Sequence, residues 1–352
     1  MQTAYFTNYE HDESGPSAGS ERQAQRDRAQ GALVGAAAGD ALGAGYEFGP
    51  PLGSGATITM IGGGPFGFAP GEWTDDTSMA VPIARELAAG RRLEDEETLD
   101  RIVADWYAWH LEAPTVGTQT RRVLGALQSA TAREAWESSH RLHIITGQSA
   151  GNGSLMRTAP VALAFLGTGQ EEALASTARQ LSRLTHWADD ASDACVIWSL
   201  AIRKAVLTGQ LNLLDQLYWL PAERRELWRQ RIEAAESGEP ADFAGNAWVV
   251  EALQGAWSAI QHGTCLEDVL RRAVRGGSHT DTVAAIAGAL TGAAHGASAL
   301  PGEWRARLHG WPSMTAADLE DLAVQILEGP HARGPQAAGA VTGSATAGRA
   351  ER

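Results

Sequence analysis

The chain has 352 residues, 44% of them hydrophobic, and a formal net charge of −14. That length can hold one large domain or two small ones around a sizeable core. The acidic balance weighs against general binding to nucleic acid or anionic membrane, although a local basic pocket could still hold a phosphate.

Cys195 and Cys265 form no CxxC pair, so no disulfide framework or cysteine zinc site is expected, which fits a cytoplasmic protein. Met1 to Gln30 lacks the apolar segment of a signal peptide. No apolar run reaches about 18 residues, the length that a membrane span needs.

Residues 1–25 are rich in Ser, Gly, Glu and Arg and read as a disordered tail. Residues 26–329 read as a single all-α domain, and 330–352 as a low-complexity, disordered tail. In Gly31 to Gly43, glycines at 31, 35, 39 and 43 fall on one helical face. Each costs about 1 kcal/mol against alanine in a helix interior, so another backbone is expected to come very close. Asp40 and Glu47 punctuate the end of this helix.

Residues 49–72 form a Gly/Pro-rich loop, long enough to be functional. Gly71 to Met79 reads GEWTDDTSM. Thr74 is the expected N-cap of a helix reaching 89, with Asp75 and Asp76 in its first turn. Adjacent helical side chains diverge by about 100°. The two acids can therefore bracket one cation or touch two, but cannot chelate one identically. Taken alone, the motif is more simply a capped helix whose acids complement its dipole; the second polar cluster at Ser278 to Thr282 is what weighs against that reading.

Further helices are expected over 96–109, 120–129, 154–166, 171–184, 191–208, 249–262, 265–275, 283–295 and 319–327. Residues 210–246 have weaker patterning and read as surface helices, a packed outer layer more than a partner surface. Gly151-Asn152-Gly153-Ser154 enters a helix, as phosphate-cradling loops do, but a tight turn explains it too. Arg157 would pair with a phosphate or a neighbouring acid. His186 sits in a turn, where a structural role is the commoner outcome. Ser278-His279-Thr280-Asp281-Thr282 opens a helix whose Gly288, Gly292 and Gly296 repeat the four-residue spacing. No strand alternation is found.

If the two glycine faces pack antiparallel, Glu47, Asp75, Asp76 and Asp281 meet at one end of the bundle. Thr74, Asp75, Asp76, Asp281 and Thr282 would then supply the oxygen donors that Mg²⁺ or Mn²⁺ wants. His279 would either add a nitrogen, tilting preference towards a softer ion, or bond backbone at its helix start.

GALVGAAAGDALGAGYEF, GEWTDDTSM, GNGSLMRTAPVAL, LTHWADDASDACVIWSLAI and RGGSHTDTVAAIAGALTGAAHG together resemble the ADP-ribosylglycohydrolase (ADP-ribosyl-acceptor hydrolase) family, in order from Gly31 to Pro301. The resemblance implies a compact, orthogonal, all-α multi-helix bundle with two Mg²⁺ ions in a cleft. It implies hydrolysis of the C1″ bond between ADP-ribose and an acceptor on a protein, nucleic acid or small molecule. It places metal at Thr74, Asp75, Asp76, Asp281 and Thr282, and makes Glu47, with Asp75 and Asp76, the catalytic candidates. Gly117, Thr118, Gly151, Asn152, Gly153, Ser154, Met156 and His186 would contact the substrate.

One departure stands out. The family's last motif reads Asp-x-Asp-Thr, and His279 replaces its first acid. An imidazole supplies no negative charge. Hydrolysis with a weakened second ion is the first expectation. A changed ion preference such as Mn²⁺, or noncatalytic ADP-ribose binding, are the alternatives.

Overall fold

A computed structural model describes residues 18–330. Fourteen α-helices are found among them: α1 Ala18–Gly43, α2 Asp75–Ala88, α3 Glu96–His110, α4 Thr118–Leu124, α5 Ala132–Thr146, α6 Ala159–Leu163, α7 Glu171–Arg183, α8 Asp189–Thr208, α9 Ala222–Ser237, α10 Val249–His262, α11 Leu266–Arg275, α12 Thr280–His295, α13 Gly302–Arg307 and α14 Ala316–Glu328. A hairpin of β1 His309–Gly310 and β2 Met314–Thr315 is the one paired sheet among the described residues. The all-α bundle is thus what forms.

α12 is apolar on every face and buried from Thr280 to Ala293, as a helix without a polar side must be. It is flanked by α1, α8, α10 and α11. Against α1 the approach is backbone to backbone. A Cβ added at Gly31, Gly35, Gly39 or Gly43 would come closer than 3.0 Å to Gly292, Gly288, Ala284 or Asp281, respectively. The partner numbers fall as the α1 numbers rise, so the helices run antiparallel. The expected pairing of the two glycine faces is found.

This packing brings the end of α1 beside the start of α12. The Thr280 hydroxyl donates to the Gly43 carbonyl at 2.9 Å. The Phe48 N–H donates to the Ser278 carbonyl at 2.7 Å, and the Ser278 N–H to the Gly49 carbonyl at 2.9 Å. Phe48 and Ser278 have φ of 60° and 61°, a left-handed conformation that costs a non-glycine residue energy. This two-way clasp holds Glu47 next to residues 279–281.

Several boundaries differ from expectation. α1 begins at Ala18, inside the stretch expected to be tail; the rest of that tail, and the C-terminal one beyond Pro330, lie outside the described residues. The helix expected over 154–166 is a 3₁₀ turn at Asn152–Arg157 followed by α6, because Pro160 lacks an N–H and disfavours helix just before it. The helix expected to reach Ser129 stops at Leu124. α5 was not expected, since it buries only Ala132, Ala135, Ser138 and Ser139. Its start, with Glu134 N–H on the Thr131 hydroxyl at 3.3 Å, is a readable cap signal. The hairpin strands are too short for alternation to show.

Loop 49–72 is no free flap. Ile58 and Met60 are buried in it, the Tyr46 hydroxyl bonds both backbone groups of Thr59, and the Leu52 N–H reaches the Arg275 carbonyl at 2.9 Å. In 210–246 the packed layer is what forms: Trp228 is buried, and its indole donates to Asp193 at 3.1 Å.

Alanine stabilises an ordinary helix interior relative to glycine by about 1 kcal/mol. At Gly39 the sign is expected to reverse. Gly39→Ala should lower unfolding stability by about 1–3 kcal/mol, as overpacking does, read as a drop in denaturant midpoint at unchanged slope.

Candidate metal centre

Thr74 occupies the N-cap position of α2, but its hydroxyl makes no cap bond. It lies 3.0 Å from Asp76 Oδ2 and 3.4 Å from Asp281 Oδ2, so it donates to the nearer acid. Asp40, from α1, does the capping. Its Oδ1 accepts the Thr74 N–H at 2.8 Å; its Oδ2 accepts the Thr77 N–H at 2.9 Å and the Thr77 hydroxyl at 2.6 Å. In the sequence Asp40 reads only as punctuation at the end of its helix. Its signal was an acid on the otherwise apolar stretch 32–44.

Capping from α1 fixes where Asp75 and Asp76 stand relative to α12. Ligand atoms of Asp75, Asp76 and Asp281 lie within 4.8 Å of one another, and so do those of Glu47, His279 and Asp281. Asp281 belongs to both triads. The acids from positions 47, 75, 76 and 281 therefore converge as expected. Thr282 is also here, its N–H donating to Asp281 Oδ1 at 2.8 Å.

The cluster lacks compensating cations. Among the described residues, no Lys or Arg pairs with Asp40, Glu47, Asp75, Asp76 or Asp281. The one basic neighbour is His279, with Nδ1 3.7 Å from Glu47 Oε1. Burial, followed by the neighbouring charges of Asp75 and Asp40, pushes the Glu47 carboxyl up to about 8. Burial and Asp40 push Asp75 up to about 6. Asp76 and Asp281 are pushed well above the usual carboxylate range, by burial first and like charge second. The contrast with the half-buried Asp190 is informative. Burial raises that carboxyl too, but hydrogen bonds from Arg231 and Arg224 outweigh it and leave the group below its ordinary value.

Asp76 Oδ1 is buried with no hydrogen-bond partner, a costly arrangement for a carboxylate oxygen. That orphan atom and the oxygen-rich donor set fit a hard divalent cation. His279 is the N-cap residue of α12 but makes no side-chain cap bond, so the backbone-bonding alternative does not hold. Burial lowers its pKa, which favours the neutral, ligand-competent imidazole.

The glycine loop lies alongside. The Gly117 N–H donates to Asp75 Oδ2 at 3.1 Å, and Thr118 follows, exposed, as the first residue of α4. Positions 151 and 153 face the His186 ring: an added Cβ at either would come within 3.2 Å of Nε2. Asn152 is held by Asn246 and Ala247 through its amide and N–H. Ser154 and Met156 are buried. The Ser154 hydroxyl accepts from Ser182 at 2.9 Å, and Met156 lines an interior cavity with Leu33 and Asp76. Neither side chain is open to the surface.

Arg157 is not available to a phosphate or an acid. It is 1% exposed, its guanidinium is 4.0 Å from the Trp106 ring centroid, and it donates to the Thr185 hydroxyl at 2.8 Å. That hydroxyl therefore gives its own proton to His186 Nδ1, 2.7 Å away. The arrangement assigns the remaining ring proton to Nε2, on the side of the glycine loop. Burial, then the Arg157 charge, hold His186 well below its ordinary value and neutral.

Asn246, also unforeseen, ties the two halves together. Its Oδ1 accepts the His279 N–H at 3.0 Å, its Nδ2 donates to the Gly277 carbonyl at 3.0 Å, and its carbonyl accepts from Asn152 at 2.9 Å.

The sequence model of the family described as ADP-ribosylglycohydrolase matches residues 21–336. The chain belongs to this family. It is accordingly a hydrolytic enzyme acting on ADP-ribosyl groups. It is 32% identical to the ADP-ribosylarginine hydrolase Tri1 of Pseudomonas putida (strain GB-1), over 86% of this chain and 80% of the relative. It is 28% identical to the ADP-ribosyl-[dinitrogen reductase] glycohydrolase of Rhodospirillum rubrum, over 80% of this chain and 90% of that one. A solved structure described as an ADP-ribosylglycohydrolase-related protein complex matches with a TM-score of 0.68 and 32% identity, covering 87% of this chain and 98% of the other. No described helix is long and apolar enough to cross a membrane.

The raised carboxyls give a pH signature. Folded Asp75 and Glu47 keep protons to about 6 and about 8, whereas unfolded carboxyls lose theirs near pH ~4. The metal-free fold binds more protons across that window and loses stability as pH rises through it. The melting temperature of chelator-treated protein should fall from about pH 5 to about pH 8. Millimolar Mg²⁺ should recover most of it at the alkaline end, where protons no longer compete for the ligands. A melting temperature that rises across this range contradicts an uncompensated cluster.

Proposed function

We propose that this ADP-ribosylglycohydrolase is metal-dependent and cleaves the C1″ glycosidic bond between ADP-ribose and a protein side chain. The observation that carries the reading is the pair of ligand triads sharing Asp281, with an orphaned carboxylate oxygen in one of them. The two relatives' names speak of ADP-ribosylarginine and of ADP-ribosylated dinitrogen reductase. Both support a protein acceptor, and neither supports the broader expectation of a nucleobase or small molecule.

Asp75, Asp76 and Asp281, with the Thr74 and Thr282 hydroxyls, would hold one divalent cation. Glu47, His279 and Asp281 would hold a second, and Mg²⁺ or, at the imidazole-bearing triad, Mn²⁺ suits these donors. Such ions supply positive charge that grips ribose oxygens and offsets the acids. The chain's own groups do the rest. Gly117, Thr118 and the loop at 151–153 orient the nucleotide. The neutral His186, fixed by Thr185 and Arg157, presents an N–H donor without adding charge. Glu47, half-buried at the end of α1, is placed to take or give the proton as water replaces the acceptor at C1″. Cys195 and Cys265 are both free, in keeping with a cytoplasmic setting.

The decisive assay follows free ADP-ribose released from mono-ADP-ribosylated protein. Chelation should abolish release and Mg²⁺ or Mn²⁺ restore it. Glu47→Gln should lower kcat by about 100-fold or more, the usual worth of a positioned proton-transfer group, while ADP-ribose still binds by calorimetry. Because His279 stands where the family has an acid, one outcome supports a second reading: tight ADP-ribose binding by the unaltered protein with no release under any metal would make it a reader, not a hydrolase.

A further inference from the structure

The start of α4, the glycine loop and the turn carrying His186 lie far apart in sequence, yet one side chain joins all three. Gln119, half-buried in the first turn of α4, donates from Nε2 to the Thr185 carbonyl at 2.8 Å and to the Ser149 carbonyl at 3.1 Å. Its Oε1 accepts the Gly151 N–H at 3.3 Å. With two carbonyls on one side and an N–H on the other, the network decides which amide atom is nitrogen. Gln119 lies outside every motif that carries the family resemblance.

Each bond has a local consequence. Thr185 is buried, and among the described residues no other hydrogen bond reaches its carbonyl. The other donor to the Ser149 carbonyl is the Ala188 N–H, at a longer 3.4 Å. Removing the amide therefore strands a buried carbonyl next to His186, and the turn must shift to recover a partner. Gly151 sits between two groups: a Cβ added there would come 3.2 Å from Gln119 Oε1 and 3.2 Å from His186 Nε2. The amide thus sets the distance from the loop to the imidazole. Two residues earlier, the Gly117 N–H holds Asp75 Oδ2 at 3.1 Å. Residues 117–119 accordingly tie one metal-triad acid to both walls assigned to the nucleotide.

We infer that Gln119 is a positioning residue, which holds the glycine loop and the His186 turn at the spacing ADP-ribose needs and in register with Asp75. This rests on the proposed function, in which those segments orient the nucleotide. Gln119 acts through the groups it bonds, not on the reacting atoms. A loop already in its bound arrangement loses less freedom when the ligand arrives, and the difference appears as affinity. Side chains of similar length do not substitute. Methionine fills the space but bonds neither carbonyl. Glutamate keeps the shape, but at neutral pH it turns an acceptor-only carboxylate towards two carbonyl oxygens.

The test compares Gln119→Met and Gln119→Glu with the unaltered full-length protein, by calorimetry with Mn²⁺ alone and with ADP-ribose at saturating Mn²⁺. Gln119→Met should bind ADP-ribose about tenfold more weakly, since each lost hydrogen bond counts for several-fold in an equilibrium. Gln119→Glu should bind it more weakly still, and both variants should keep their Mn²⁺ affinity. In turnover, KM should rise by the same factor as the dissociation constant, with kcat changed less. The ring-nitrogen signals of His186, read by NMR, should move in both variants. If Gln119→Glu does not fold, Gln119→Met decides alone. Unchanged ADP-ribose affinity, or Mn²⁺ affinity lost in the same proportion, overturns the assignment, because the second result marks a general loss of structure. If the unaltered protein binds no ADP-ribose, the nucleotide reading fails by itself. Gln119 is then judged by the His186 signals, and signals that stay in place in the variants overturn its role as well.

Discussion

The absence of side chains at Gly31, Gly35, Gly39 and Gly43 lets α1 lie directly on the backbone of α12, and the rest of the site depends on that closeness. Two antiparallel helices in such contact have no room to slide. The clasp between Phe48 and Ser278 then forces the chain leaving α1 against the turn that starts α12. Glu47 and Asp281, more than two hundred residues apart in sequence, become neighbours as a consequence. Asp40, one residue after Gly39 on the same helix, brings α2 to the same place by holding its first turn. Packing and capping together, with no motif chemistry invoked, gather five carboxyl groups at one end of the bundle.

Gathering them is unfavourable unless something positive joins them. Buried like charges raise one another's proton affinity, and a buried oxygen without a partner forfeits its hydration. The same chain shows the usual remedy elsewhere. Asp193, buried, and Asp190, half-buried, follow the site's histidine motif and are neutralised by Arg179, Arg224 and Arg231. The cluster around Asp281 has no such remedy, which is what separates a binding centre from a structural ion-pair network. His279 changes the balance at one of its edges. It removes one negative charge from the Glu47 triad and offers a neutral nitrogen instead, so the two triads differ in hardness as well as in burial.

Much of this was legible in the sequence. Four-residue glycine spacing in two distant segments announced the helix pair, and the first-turn acids after Thr74 announced the cluster. Other features were hidden because their partners are distant in sequence. Thr74 looked like a self-sufficient cap, yet its hydroxyl serves the acids and Asp40 replaces it. Arg157 looked available, yet it is stacked on Trp106 and serves to set the His186 tautomer. Asn246 sits in a weakly patterned stretch, and its role appears only when loop 151–153 and turn 277–279 converge on it. Gln119 bonds Ser149, Gly151 and Thr185, in segments that no local pattern connects to α4.

Asp281 is shared by two triads, each of which would hold a divalent cation. A crystal of the full-length protein, freed of metal and soaked in Mn²⁺, would test this by anomalous scattering. Two peaks are predicted, one in contact with Asp75, Asp76 and Asp281, the other with Glu47, His279 and Asp281. No peak at these carboxylates, or bound ions that do not touch Asp281, would contradict it.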